Sequence, residues 1–118
     1  MKVVAISDVQ GQKIKNEMFV GDVVRKQLID ESMAKILLAG VVYFAAGSKN
    51  NWHTHSNEQI LYVVDGKGIV ATEQEQIVVT PGMIVHVPAG EKHWHGASED
   101  TPFTQLSLYH PGETKILK

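Results

Sequence analysis

The chain contains no cysteine, which removes thiolate zinc sites, iron–sulfur clusters, disulfides and thiol nucleophiles together. Aromatic residues are few, at three Phe, three Tyr and two Trp, and no run of Lys or Arg interrupts a formal net charge of −2. A nucleic-acid partner needs a basic footprint or a stacking surface, so such binding is disfavoured. Long hydrophobic runs are missing too. Uncharged stretches such as Ile36 to Gly47 fall short of the roughly 20 residues that span a bilayer. The apolar run Val3–Ile6 ends at Ser7 and Asp8, too short for a signal-peptide core, and the expectation is a cytoplasmic protein with no membrane partner.

What is present describes an all-β protein. The 118 residues, 43% of them hydrophobic, suffice for one domain over residues 1–118 with a core that needs no staple, so a metal would serve chemistry rather than folding. Short runs of Val, Ile, Leu and aromatics alternate with turn chemistry, and no segment keeps a helical repeat. The pattern predicts strands at Val3–Ile6, Phe19–Ile29, Ala34–Ala45, Ile60–Val64, Gly68–Thr72, Gln76–Val79, Met83–Val87, Lys92–Ala97 and Phe103–Tyr109, arranged as a sandwich or barrel. Asp65-Gly66-Lys67-Gly68 reads as a hairpin turn, with further turns at Thr80-Pro81-Gly82 and Pro88-Ala89-Gly90. Glu31-Ser32 could open a helical turn, but Val41-Val42-Tyr43-Phe44 just downstream favours strand.

Five of the six histidines fall at positions 53, 55, 86, 93 and 95. Residues two apart on a strand face the same way, so His53 and His55 aim at one point, and His93 and His95 can aim at it from a neighbouring strand. Gln59, at the entrance to the Ile60–Val64 strand, offers a carbonyl oxygen to complete a mixed nitrogen and oxygen set. Either pair alone is equally compatible with hydrogen-bonded or solvent-facing strand histidines. The surrounding glycines and proline tip the balance. From Gly47 the chain runs through His53, His55 and Gln59 to Gly66, and from Gly82 it runs through Pro88 and Gly90 to His93. These strings resemble the two motifs of the cupin superfamily, here within residues 47–66 and 82–97.

The resemblance implies a cupin double-stranded β-helix, a small barrel of jelly-roll type, with the N-terminal strands of residues 1–45 as edge or dimer arm. Trp52-His53-Thr54-His55, Gln59 and Gly90-Glu91-Lys92-His93-Trp94-His95-Gly96-Ala97 are similar to one subgroup: small cupins associated with carboxymuconolactone decarboxylases, including bacterial cupin hydroxynitrile lyases. Phe19-Val20-Gly21 is similar to the Phe-Thr-Gly segment of that subgroup. Two positions depart from the general cupin pattern, Gln59 where Glu is usual and Ala97 where Asn is usual. The subgroup implies that His53, His55, Gln59 and His93 bind one divalent ion, foremost Mn2+ or Fe2+, with Ni2+, Co2+ or Zn2+ as alternatives. It places a further cavity histidine where this chain has Gln105, and an amide cannot take up a proton.

The donor set itself predicts chemistry. Three neutral imidazoles and a neutral amide leave a divalent ion its full double charge, which acidifies bound water, attracts anions and stabilises developing negative charge. That favours a lyase or decarboxylase acting on a small-molecule substrate over oxygen activation, which gains from an anionic ligand. A lyase needs a proton acceptor, and His95, sharing a strand face with His93, is the candidate base; with Gln105 it forms the candidate catalytic pair. An iron dioxygenase and a non-catalytic binding module remain as alternatives. Trp52 and Trp94 are expected to point outward, against an N-terminal arm or a partner subunit. His86 is expected as a hydrogen-bonded strand residue, not a fifth ligand. Met18, Met33 and Met83 are expected in core or cavity wall. Uncapped edge strands predict a homodimer.

Overall fold

The computed structural model describes residues 1–117. After one 3-10 turn at Ile6–Asp8 come thirteen strands: β1 Gln12–Lys13, β2 Phe19–Val20, β3 Val23–Ile29, β4 Leu38–Phe44, β5 Lys49–Asn50, β6 His53–His55, β7 Gln59–Gly66, β8 Gly68–Ala71, β9 Gln76–Val79, β10 Ile84–Val87, β11 Trp94–Ala97, β12 Phe103–Tyr109 and β13 Thr114–Ile116. They form a six-stranded sheet in the order β1-β3-β4-β12-β7-β10, a five-stranded sheet β2-β5-β11-β8-β9 and a two-stranded sheet β13-β6. Every pairing is antiparallel. The result is an all-β sandwich of jelly-roll type, as the sequence pattern predicts.

Alternation along each strand of the larger sheet sends one set of side chains inward, and that set changes character from end to end. On β12 it runs Phe103, Gln105, Ser107, Tyr109; across the register it meets Phe44, Val42, Gly40 and Leu38 on β4. On β3 it runs Val23, Arg25, Gln27. The apolar end closes a core of Val23, Val42, Phe44, Val63, Val79, Ala97 and Phe103 drawn from both sheets. Within it, the Phe44 and Phe103 rings stack with centroids 5.9 Å apart. The polar end cannot pack as a core, and there the sandwich opens into a cavity of about 480 Å³.

Several elements differ from the sequence expectation. Val3–Ile6 forms no strand: Val3 is exposed and the chain turns at Ile6–Asp8, because β-propensity without a partner strand does not make a ladder. The expected strand Phe19–Ile29 is broken at Gly21, whose φ of 92° suits glycine. There the chain changes sheets, β2 pairing with β5 and β3 with β4, and the Asp22 N–H donates to Ser48 Oγ at the corner. Ala34–Ala45 shortens to Leu38–Phe44 because Asp30 organises a turn, accepting at Oδ1 from the Ser32 N–H and at its carbonyl from those of Met33 and Ala34. Lys92–Ala97 begins at Trp94, with His93 forming an isolated bridge to His53. Strands β1, β5, β6 and β13 were not legible in the hydrophobic pattern. Met33 and Met83 are exposed, not core or cavity wall, since the Asp30 turn and the Thr80–Met83 turn hold them outside the sandwich. Among the described residues, no helix is long and apolar enough to cross a membrane.

Candidate metal centre

Strand β6, only three residues long, lies between two partners. On one side His53 and His93 exchange backbone hydrogen bonds of 3.0 and 3.1 Å; on the other, β13 pairs with β6, Thr114 opposite His55 and Ile116 opposite His53. Pleating then places the His53 and His55 rings on one face with centroids 4.7 Å apart, and the cross-strand pair brings the His93 ring to 4.2 Å from His53 and 5.2 Å from His55. The candidate donor nitrogens of the three all lie within 4.8 Å of one another, so His53, His55 and His93 could hold a metal ion.

The outward-facing nitrogens fix the tautomers. His53 Nδ1 lies 2.7 Å from the Asn51 carbonyl and His93 Nδ1 2.8 Å from that of Glu91. A carbonyl only accepts, so both Nδ1 atoms carry the proton and both Nε2 atoms present a lone pair. His55 Nδ1 faces the Thr114 hydroxyl at 3.0 Å. Gln59 opens β7 and its Nε2 donates to Ser107 Oγ at 2.8 Å, which turns its carbonyl oxygen the other way. His53 Nε2, His55 Nε2, His93 Nε2 and Gln59 Oε1 are all buried without a hydrogen-bond partner. Buried lone pairs with no donor are costly and rare. Four Lewis-basic atoms of this kind, with no protein donor to satisfy them, are what a cation needs.

Burial keeps the three imidazoles neutral. His53, fully buried, is pushed down from 6.5 to about 3 mainly by desolvation, with the neighbouring His93 and His55 adding to it and the Asn51 carbonyl opposing. His55 is pushed to about 4 by burial and by His93, with Gln59 opposing. His93 is lowered by burial, against the Glu91 carbonyl and carboxylate.

The remaining candidates fall into two groups. His95 lines the cavity, its ring stacked 5.8 Å from that of His93 and edge-on to Phe44 at 6.1 Å. Burial holds it well below 6.5, reinforced by His53, His93 and His55, with Gln105 opposing. Asn50 accepts the His95 backbone N–H at 2.8 Å, which turns its own Nδ2 to the ring, 3.1 Å from Nε2. Gln105 is 1% exposed and lines the same cavity, with Oε1 unpartnered. Away from the cavity, His86 is exposed and meets Glu58 Oε1 at 2.6 Å. Trp52 and Trp94 pack edge-on against each other at 6.5 Å, with Lys92 over one ring and Lys49 over the other. Met18 lines the cavity as the sequence suggests, and so do Arg25, Gln27, Ser107 and Tyr109, which the sequence motifs do not single out. Thr114, Ser107 and Asn50 carry no sequence signal because their roles arise from long-range register.

Comparison with known proteins is consistent with this geometry. Residues 40–114 match the Cupin domain family. The chain is 40% identical over 74 residues to an (R)-mandelonitrile lyase of Granulicella tundricola, covering 61% of this chain and 56% of that one. It is 30% identical over 80 residues to an acireductone dioxygenase of Sulfurihydrogenibium, covering 56% and 45% respectively. The matches thus span about half the length of these two relatives. Among solved structures, a cupin-like protein from Thermotoga maritima superposes with a TM-score of 0.85 at 29% identity, over 91% of this chain and 84% of that one.

Proposed function

The chain belongs to the cupin domain family, and from that premise we propose that it is a mononuclear-metal enzyme of lyase or decarboxylase type acting on a small molecule. His53, His55, Gln59 and His93 hold one divalent ion, Mn2+ or Fe2+. The observation that carries this reading is the cluster of His53, His55 and His93, whose candidate donor nitrogens lie within 4.8 Å of one another with each Nε2 buried and unpartnered, beside a cavity that Gln59, its Oε1 also buried and unpartnered, lines. When bound, the ion supplies Lewis-acid stabilisation of negative charge developing on the substrate.

The protein's own groups do the rest. Asn51, Glu91 and Thr114 orient the three imidazoles, and Ser107 orients the Gln59 amide. All four ligands are neutral, so none offsets the charge of the ion. The sequence cast His95 as a base, yet the Asn50 amide donates to the ring lone pair that a base would use. Burial keeps His95 neutral, and the Asn50 amide, with Nδ2 3.1 Å from Nε2 and 3.4 Å from Nδ1, must release a ring lone pair before His95 can accept a proton. Gln105 beside it can orient a substrate but cannot take up a proton. Phe19, Val42 and Phe44 give the cavity an apolar wall that limits water around the reacting groups.

Metal analysis of the purified protein, with turnover of cyanohydrins such as mandelonitrile measured with and without oxygen, tests the reading. One equivalent of metal, lost in His53→Ala, and turnover indifferent to oxygen are expected. The similarity to an acireductone dioxygenase favours a second reading, and oxygen uptake matching turnover would replace the first with it. Protein that binds no divalent metal would end both.

A further inference from the structure

Strand β3 contributes a group to the cavity that the ligand set does not use. Its alternation sends Val23 into the core and Arg25 and Gln27 into the cavity wall. Gln27 is occupied, its Nε2 donating to the Tyr109 hydroxyl at 2.7 Å and to the carbonyls of Ile29 and Ala39. Arg25 is different: among the described residues it makes no side-chain hydrogen bond or ion pair. Among the described residues it is also the only Lys or Arg lining the cavity.

Register fixes where it stands. Arg25 faces Val42 on β4, and Val42 faces Gln105 on β12. Two strand spacings separate Arg25 from Gln105, about 10 Å between backbones. The row is thus a guanidinium, an apolar spacer and a buried amide next to His95. Gly40, the next inward position on β4, leaves its place on the wall without a side chain.

We propose that Arg25 is the carboxylate subsite of this cavity, and that the substrate is a small monocarboxylate whose acid group stays on Arg25 while another part of the molecule reacts at the histidine centre. The inference rests on the reading of the histidine cluster as the reacting centre. A planar guanidinium with five donors and no side-chain partner among the described residues matches the planar, two-oxygen acceptor of a carboxylate, or a phosphate. Held on Arg25, two strands away from Gln105 in the register, the acid group stands apart from the reacting atoms as a handle retained in the product. That favours lyase chemistry over decarboxylation. The rim sets the charge: Glu17, Glu58 and Glu113 also line the cavity, all exposed, with Glu58 engaged by His86. An acidic rim disfavours a dianion, whereas a single negative charge can be matched by direct contact with Arg25. Val42, Phe44 and Phe19 suit a short hydrocarbon between the two ends.

Butyrate and its neutral counterpart butyramide are the probes, titrated calorimetrically into wild type, Arg25→Gln and Arg25→Lys, each metal-loaded and metal-free, with azide as a probe of the metal itself. Wild type is expected to bind butyrate at least about tenfold more tightly than butyramide, a usual scale for a charged hydrogen bond. Arg25→Gln should abolish that preference and Arg25→Lys should restore part of it, with metal content and azide affinity unchanged in both. Arg25 is exposed and bonds to no other side chain, so both variants should fold. Equal affinity of Arg25→Gln and wild type for butyrate would overturn the subsite, as would butyrate binding that disappears with the metal and ignores Arg25. If the protein binds no metal yet holds butyrate through Arg25, the subsite stands and the metal-centre reading fails.

Discussion

Thr114 stands directly across the β13–β6 register from His55, its hydroxyl 3.0 Å from the ring Nδ1. A residue 59 positions away in sequence thus sets which nitrogen of His55 faces the cluster. Thr114→Val keeps the shape and removes the hydroxyl, so the ring loses its orienting partner. Metal affinity should fall by about ten- to a hundredfold, the range for disturbing a ligand's supporting hydrogen bond. Thr114→Ser should retain wild-type affinity. Competition with a chelator of known strength measures both; equal affinities in Thr114→Val and wild type would show that β13 alone orients His55.

Without metal, the buried histidines couple folding to pH. Burial holds His53 at about 3 and His55 at about 4, whereas in the unfolded chain both titrate near 6.5. As pH falls below 6.5 the unfolded chain takes up protons that the folded site refuses. The stability these residues contribute is therefore complete above pH 6.5 and is lost as pH falls towards 4 and then 3. For His53 alone the slope approaches about 1.4 kcal/mol per pH unit. The urea midpoint of the metal-free protein should drop between about pH 7 and about pH 5, and His53→Asn should flatten the dependence. A midpoint that stays level over that range in the wild-type protein would mean that the cluster is hydrated and titrates normally.

The site was legible where local patterning carries it and illegible where register does. His53 and His55 share a face because they lie two apart on one strand, and the glycine and proline spacing around them, through its resemblance to the cupin motifs, pointed to His93, which the fold brings beside them. His86 could be set aside for the opposite reason, since its strand faces it outward to Glu58. Asn50 and Thr114 look like ordinary polar residues until β11 and β13 bring His95 and His55 against them. Arg25 was hidden by a different effect. Read as one continuous strand, Phe19–Ile29 has no break, and only the corner at Gly21 fixes which residues of β3 point inward. The Val3–Ile6 misreading has the same root, because strand propensity does not say whether a partner exists.

Gly40 controls how much ligand the cavity takes. A Cβ there would have as its nearest neighbours the Lys26 carbonyl at 3.4 Å and Gln27 Oε1 at 3.5 Å, ordinary contact distances. Gly40→Ala should therefore fold with unchanged or slightly raised stability, since alanine costs less backbone entropy than glycine. Gly40→Leu projects into the cavity between Gln27 and Ser107, its register neighbours. It should keep metal binding while losing affinity for butyrate and turnover of any substrate longer than a few atoms. Loss of metal from Gly40→Leu would place the cavity wall and the ligands in one cooperative unit.

Gln59 is one of the two positions where this chain departs from the common cupin pattern, and its surroundings allow a clean exchange. Its Nε2 donates to Ser107 Oγ while Oε1 is buried and unpartnered. In Gln59→Glu the Ser107 hydroxyl can turn and donate to a carboxylate oxygen, so the second oxygen keeps its place. The anionic ligand should bind the ion more tightly and lower the net charge of the site by one. Affinity for azide should then fall, and the metal should oxidise more readily. Lyase-type turnover should drop by about ten- to a hundredfold. Ser107→Ala separates charge from position, because it leaves Gln59 neutral but unanchored and should weaken metal binding without changing the preference for anions. If Gln59→Glu matches wild type in azide affinity and oxidation potential, the neutral ligand is a passive replacement for glutamate. The oxygen-dependent reading would then become the stronger one.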